Sequence, residues 1–394
     1  MNKKVILSMG CLGVIVLLLF FMTGCGKPKI TWTPSGSSPN RTNPRLKVYL
    51  ENSGSMDGYM CQGSELKDAI YGYVSSLSSN VDSVQLNYIN TDIIPYHNSL
   101  ENFIRNLNPA SFAKAGGNRG NSDIAAMLRS ILNKTDDKTI SIFVSDCILD
   151  VPEGSAENYF TNRQIEIRNA FTLALNRHPD LGVEIFRLES DFNGIYYYSS
   201  GHERLTDRKR PYYMFIVGNK HILANLNRKV SFSSIPHGIE DYYAYTLTSE
   251  VSFEITNQYG IGNPKGTECS NGEFRVNVDL SATLQQDDVL DEIKNYKNLS
   301  PFIRLKDISG IKDSNSAYTH VLTYSIRNNV KPMPELVVLS QPPLPGWIDE
   351  ANDDTGVNVT SHLKQTTGIK YIINGIADAY NSAPLATFKF VISK

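Results

Sequence analysis

The chain has 394 residues, of which 38 are basic and 40 acidic, for a formal charge of −2. So even a balance supplies no global field for holding nucleic acid and argues against that partner class. With hydrophobic residues at 41% and charged residues at 20%, the composition is that of a globular protein, long enough for about two to three domains.

The first 25 residues read as a targeting segment. Lys3 and Lys4 precede a mostly apolar run over 5–22, and Gly24 stands directly before Cys25. This ending resembles the bacterial lipobox, although Met22 stands where Leu is usual. The resemblance implies cleavage before Cys25, lipid on that cysteine, and a protein held to a bacterial membrane outside the cytoplasm. An uncleaved anchor is the alternative and gives the same compartment. Residues 26–45, rich in Pro, Ser, Asn and Thr, are expected to form a flexible tether. Beyond Cys11 and Cys25 remain Cys61, Cys147 and Cys269, an odd number without Cys-x-x-Cys spacing, which argues against zinc.

From 46 to 229 strands and helices alternate. A strand at 47–51 runs into a loop; Leu66, Ala69, Ile70, Tyr73, Val74 and Leu77 recur at helical spacing; residues 84–89 read as a strand; Leu100, Phe103, Ile104 and Leu107 mark a second helix. A glycine-rich loop over 116–121 leads to Ser122, expected as the N-cap of a helix carrying Ile124, Met127, Leu128 and Ile131. Residues 139–145 read as a buried strand ending at Asp146. Thr161 and Gln164 suggest a capping box before the next helix, followed by a strand at 183–188. Two more strands, 194–198 and 212–217, flank a charged stretch, 202–210, read as a solvated loop tip. The alternation predicts an α/β domain with a doubly wound, mostly parallel sheet flanked by helices.

From 230 to 394 the texture becomes that of a mainly antiparallel β-sandwich with one helix. Strands are expected at 251–256, 273–280, 302–306, 321–326 and 387–393, and a helix with Ile369, Ile372, Ile373 and Ile376 on one stripe. The Pro-rich stretch 332–347 reads as a connection, and the acidic 349–354 as a solvated turn, because it lacks the ligand spacing of a calcium loop.

Three loop segments carry the chemistry: Glu51, Ser53 and Ser55 at alternate positions after the first strand, Ser122 before a helix, and Asp146 after a later strand. In a wound sheet the carboxyl ends of parallel strands meet at one edge, so these oxygens are expected to converge. Carboxylates and hydroxyls suit Mg²⁺, with Mn²⁺ or Ca²⁺ as alternatives.

In this order the motifs resemble the von Willebrand factor A domain and its metal ion-dependent adhesion site, which carries Asp-x-Ser-x-Ser, then a Thr in a glycine-rich loop, then an Asp usually followed by Gly. Ser53-Gly54-Ser55-Met56, Asn121-Ser122-Asp123-Ile124 and Val144-Ser145-Asp146 carry the likeness, across about residues 46–220. Glu51 stands in place of the first Asp, and Cys147 in place of Gly. The resemblance implies a divalent cation held by Glu51, Ser53, Ser55, Ser122 and Asp146, with an open vertex for an acidic side chain of a partner protein. Met56, Tyr59, Asn118 and Arg119 are expected around that vertex. Cys61 and Cys147 lie on loops at the same edge and form either a disulfide or two inert thiols.

Three functions follow: a binding or adhesion module without catalysis, a structural subunit of an envelope assembly with a silent site, and a metal-dependent hydrolase. The hydrolase needs a base near the metal, and no His falls in the three motifs. Ser64-x-x-Lys67 formally matches a penicillin-binding motif, but sits in an amphipathic helix with no Lys-Thr-Gly partner in the chain. The motifs point to the binding module.

Overall fold

The structure is a computed structural model that describes residues 27–34, 43–120, 122–151, 156–198, 201–313, 315–327, 330–356, 362–380 and 384–394. The proposed signal segment and Cys25 lie outside the described residues. In chain order the first elements are β1 (Lys29–Thr31), β2 (Arg45–Glu51), α1 (Glu65–Ser78), β3 (Ser83–Ile89), β4 (Ile93–Tyr96), α2 (Leu100–Asn106), α3 (Pro109–Phe112), α4 (Ile124–Leu132) and β5 (Thr139–Ser145). They continue with α5 (Ala156–Arg177), β6 (Leu181–Tyr198), β7 (Gly201–Asn219), α6 (Lys220–Lys229) and β8 (Asp241–Tyr245).

Seven of these strands form one sheet in the order β4-β3-β2-β5-β7-β6-β8. Strands β2 and β5 at its centre are apolar on both sides because helices cover both. Leu46, Val48 and Leu50 face α1, α2 and α6, while Tyr49 and Phe143 face α4 and α5. The body is α/β as expected, but the sheet is mixed. β2 pairs in parallel with β3 and β5, whereas β3–β4, β5–β7, β6–β7 and β6–β8 are antiparallel. The cause is the segment read as a solvated loop: 202–210 is strand, and it folds β7 back between β5 and β6 as a long hairpin. Arg210 is buried there, and Lys209 pairs with Glu65 and, at 3.2 Å, with Asp191.

The remaining elements are β9 (Ser249–Glu250), β10 (Phe253–Asn257), β11 (Thr267–Glu268), β12 (Glu273–Val278), α7 (Asp287–Leu290), β13 (Tyr296–Asn298), β14 (Ile303–Gly310), β15 (His320–Ile326) and β16 (Met333–Leu339). After them come α8 (Trp347–Glu350), β17 (Asn352–Asp353), β18 (Thr366–Thr367), α9 (Ile369–Tyr380) and β19 (Ala386–Ser393). Two sheets, β11-β1-β19-β16-β13 with β9 beside β19, and β10-β12-β15-β14, share a core built on Ile30, Phe274, Tyr324 and Phe390. The mainly β second body is therefore present.

The domain limits differ from those read in the sequence. The stretch 26–45 is not all tether, because β1 pairs with β11 and β19 and buries Ile30. The limit near 230 also shifts, since β8 still belongs to the first sheet. The helix α9 leaves the sandwich to pack on α5, and Tyr380 Oη donates to Leu181 O at 3.0 Å. Within 332–347, β16 is a strand rather than a connection. The acidic 349–354 is not a solvated turn: buried Asp353 accepts from the amides of Thr355 (2.8 Å) and Gly356 (3.0 Å), and Asp354 pairs with Lys370 at 2.7 Å.

Tight contact between α5 and α9 depends on Gly375, where an added Cβ would lie 2.6 Å from the Gln164 carbonyl oxygen and 3.0 Å from Ile167 Cβ. Alanine gains about 1 kcal/mol of helix propensity over glycine, but overpacking against backbone costs about 1–3 kcal/mol. Gly375→Ala is therefore expected to lower the urea midpoint; a midpoint at or above the parent's would show that the two helices separate freely. The predicted capping box at Thr161 also gives way, because α5 already runs from Ala156 and Gln164 Nε2 donates instead to Asp378 at 2.8 Å.

Candidate metal site at the carboxyl edge of the parallel strands

Strands β2, β3 and β5 run side by side in one direction, so their carboxyl ends share an edge. Glu51 ends β2 and is fully buried; the chain then turns, with Asn52 N donating to Ile89 O at 2.8 Å and Gly54 N to Arg119 O at 3.2 Å. This turn brings the Ser53 and Ser55 hydroxyls within 2.9 Å of each other. Glu51 Oε1 accepts from Ser122 Oγ at 2.5 Å, and Oε2 accepts from Ser145 Oγ. Asp146, at the end of β5, accepts from the Ile148 amide at 3.3 Å through Oδ1, while its buried Oδ2 has no hydrogen-bond partner among the described residues. Glu51, Ser53, Ser55, Ser122 and Asp146 thus meet at one edge.

Ser122 reaches Glu51 because it is not the N-cap of α4. Asp123 takes that role, its Oδ1 accepting from the Ala126 amide at 2.9 Å while Oδ2 binds Arg163 at 3.1 Å. A carboxylate one residue later satisfies the helix end and frees the serine hydroxyl.

The charge balance of the site is unfavourable as it stands. Burial raises the Glu51 carboxyl above the ordinary range, against hydrogen bonds from Ser122, Ser145 and Ser53. Burial first, and then the negative charge of Glu51, push Asp146 up to about 7, offset in part by the Ser55 hydroxyl, the Ile148 amide and the Arg210 guanidinium. Arg119 does not neutralise the pair. It is held by Asp57, by Asn52 Oδ1 at 2.8 Å and by Ser53 O at 3.1 Å.

A cleft of about 300 Å³ opens on this edge, lined by Ser53, Ser55, Arg119, Ser122, Leu149 and Tyr197 among others. Of the four residues expected around the open vertex, Arg119 lines the cleft and Asn118 is exposed. Met56 and Tyr59 are instead buried beneath the β6–β7 hairpin, with Tyr59 Oη donating to Pro211 O at 2.6 Å. The short helical turn Ser55–Met60 rolls their side chains inward.

The two cysteines of the edge form no disulfide. Cys147 packs into the core on the α4–α5 side, whereas Cys61 follows Met60, which packs on the opposite side, and its Sγ lies 3.8 Å from Asp191 O. Cys147 also has φ of 56°, in the left-handed region that favours glycine.

Among the described residues no group of three or more His, Cys, Asp or Glu side chains could hold a metal. A cation at this edge would therefore depend on serine hydroxyls beside the two carboxylates. That donor set, with an unpartnered buried carboxylate oxygen, fits a hard cation such as Mg²⁺ and not zinc.

Two contributors escaped the sequence reading. Ser145 was legible in principle, as a hydroxyl next to Asp146. Arg210 was not, because a basic residue in a charged run carries no sign of burial. Among the described residues no helix is long and apolar enough to cross a membrane. Compared with known proteins, the chain matches no family model and no curated protein.

Proposed function

We propose that this chain is a lipid-anchored, extracytoplasmic binding protein whose first body works as a von Willebrand factor A-like module, engaging a partner carboxylate through a divalent cation. The observation that carries the reading is Asp146 Oδ2, a buried carboxylate oxygen with no partner among the described residues, next to a second buried carboxylate. Burial raises both carboxyls and the charge of Glu51 raises Asp146 further, and a cation between them removes that penalty. The parallel trio β2, β3 and β5 and the left-handed backbone at Cys147, where the family has Gly, support the likeness. The antiparallel pairings of β7 depart from a wound parallel sheet.

Ser53, Ser55 and Ser122 with Glu51 and Asp146 would hold the ion, most simply Mg²⁺. When bound, the ion supplies a Lewis-acidic vertex for an acidic side chain. The protein's own part is to keep its donors in place, as Ser145 does by donating to Glu51, and to offer the cleft beside them. A second reading, a scaffold subunit with a silent site, is favoured by one feature: both oxygens of Glu51 are already satisfied by serine hydroxyls.

Thermal unfolding separates the two. The chelator-treated protein is titrated with Mg²⁺, Mn²⁺ and Ca²⁺ beside a Ser53→Ala/Asp146→Ala variant. An ion that binds only the native state at about 100 times its Kd adds about 2.7 kcal/mol, so a midpoint that climbs in the parent and stays put in the variant is expected. A flat response in both would leave the silent scaffold.

A further inference from the structure

The end of the sandwich at which β1 begins gathers basic side chains. Lys29 pairs with Ser393 and Met333 with Ile392, so Lys27, Lys394 and Lys331 stand at adjacent ends of β1, β19 and β16. The Cys269 amide donates to Pro28 O at 2.8 Å, and the chain then turns into β12 at this same end. In the second sheet Ile303 pairs with Ile326, and the Arg327 amide donates to Phe302 O at 3.0 Å, which adds Arg327 to the group. Lys27, Arg327, Lys331 and Lys394 are all exposed. Of the acids near this end, Glu268 pairs with Lys29 at 3.4 Å and Glu273 with Lys306, while the Glu254 carboxylate lies against Gly262.

The same end carries exposed apolar side chains. Asn257 pairs with Phe274, and the turn beyond it is anchored by Asn271 Nδ2 donating to Gln258 Oε1 at 3.3 Å and by the Asn257 amide donating to Ile261 O at 2.9 Å. At its tip Tyr259 is 71% and Ile261 65% exposed, among the most exposed large apolar residues described. The side chains of this turn have no core to serve.

We infer that this end of the β-sandwich is a docking surface for an anionic phospholipid bilayer, with Tyr259 and Ile261 entering the interface and Lys27, Arg327, Lys331 and Lys394 meeting the headgroups. The inference rests on the proposed lipid at Cys25. Such a lipid would leave only Gly26 and Lys27 before Pro28, which is already tied to Cys269, so the sandwich would have to lie within a few residues' reach of the bilayer. One acyl signal plus a basic patch is the combination that makes anchoring stable, and aromatic and aliphatic side chains with basic neighbours suit the headgroup boundary. The basic group and the apolar turn are independent observations that select the same end.

The test uses the full chain purified from a membrane and placed in detergent, in phosphatidylcholine vesicles, or in vesicles enriched in phosphatidylglycerol. Lysine acylation by a water-soluble reagent is read by mass spectrometry. On the anionic vesicles Lys27, Lys331 and Lys394 are expected to react about five-fold more slowly than in detergent, with less protection on the neutral ones. Lys114, exposed in the loop after α3 of the first body, reacts equally in all three. In an Arg327→Glu/Lys331→Glu variant the protection of Lys394 is expected to disappear. Equal labelling in detergent and on anionic vesicles, with the lipid present at Cys25, would overturn the docking surface alone. Equal protection on neutral and anionic vesicles, or protection of Lys394 retained in the variant, would overturn recognition of charge. A mass showing Cys25 unmodified would remove the lipid reading first, and the docking surface with it.

Discussion

The metal-free protein is expected to lose stability as pH rises from about 4 to about 7, and saturating Mg²⁺ is expected to remove the site's share of that slope. Asp146 keeps its proton in the folded state up to about 7, against an ordinary value of 3.8. Between those limits the native state binds more protons than the unfolded one, so stability falls as pH rises, and the loss is complete above the folded value. Its size is on the order of 4 kcal/mol. Glu51 is shifted in the same direction and steepens the trend, as does Glu184 outside the site, which burial raises to about 7.

A cation needs the deprotonated site, so the metal-bound native state holds no more protons there than the unfolded one, and over the same window the site no longer loses stability as pH rises. Asp146→Asn keeps the shape and removes one charge. Without metal at about pH 8 it should exceed the parent by about 2–4 kcal/mol, and it should ignore Mg²⁺. Urea unfolding at about pH 5 and about pH 8, with chelator or Mg²⁺, checks each part. A metal-free slope of opposite sign, or an Asn variant no more stable than the parent, would show that burial beside Glu51 does not hold the Asp146 carboxyl in its protonated form.

Arg210→Met is expected to cost about 2–4 kcal/mol, a large effect for a residue outside the metal motifs. The guanidinium is buried, stacks 4.5 Å from the Tyr196 ring centroid, and donates to the carbonyl oxygens of His362 (3.2 Å) and Leu363 (2.7 Å). It thereby ties the β6–β7 hairpin to the returning segment that leads into β18 and α9. Methionine fills much of the volume but leaves both carbonyls without that donor. The guanidinium also draws the Asp146 carboxyl downward. Its loss should therefore shift the metal-free pH transition upward as well as lower the urea midpoint. A lower midpoint with an unmoved pH transition would mean that Arg210 acts only as a tie, without electrostatic reach to Asp146.

The elements of the first body were legible wherever apolar spacing was strong. Leu66 to Leu77 and residues 139–145 lie in a helix and a strand close to the expected limits. Short-range patterns failed where a competing group stood one or a few residues away. Asp123 took the cap expected of Ser122, and α5 ran through the capping box at Thr161. The stretch 202–210 misled for a different reason. Residues 206–209 are exposed on both faces of an extended hairpin, and a strand with so little burial reads like a loop.

By itself the sequence determined which oxygen-bearing side chains come to the edge, because Glu51, Ser53, Ser55, Ser122 and Asp146 follow or precede elements whose periodicity is local. It also determined that a mainly β body follows an α/β one, since that change of texture needs no knowledge of contacts. Only the tertiary structure decided the pairing direction of β7, the seating of β1 and α9 across the expected limits, and the separation of Cys61 from Cys147. Each of these depends on which surfaces meet, and burial is shared between segments far apart in the chain. The raised Asp146 carboxyl belongs to the same class, because desolvation and the charge of Glu51 exist only once both groups are enclosed together.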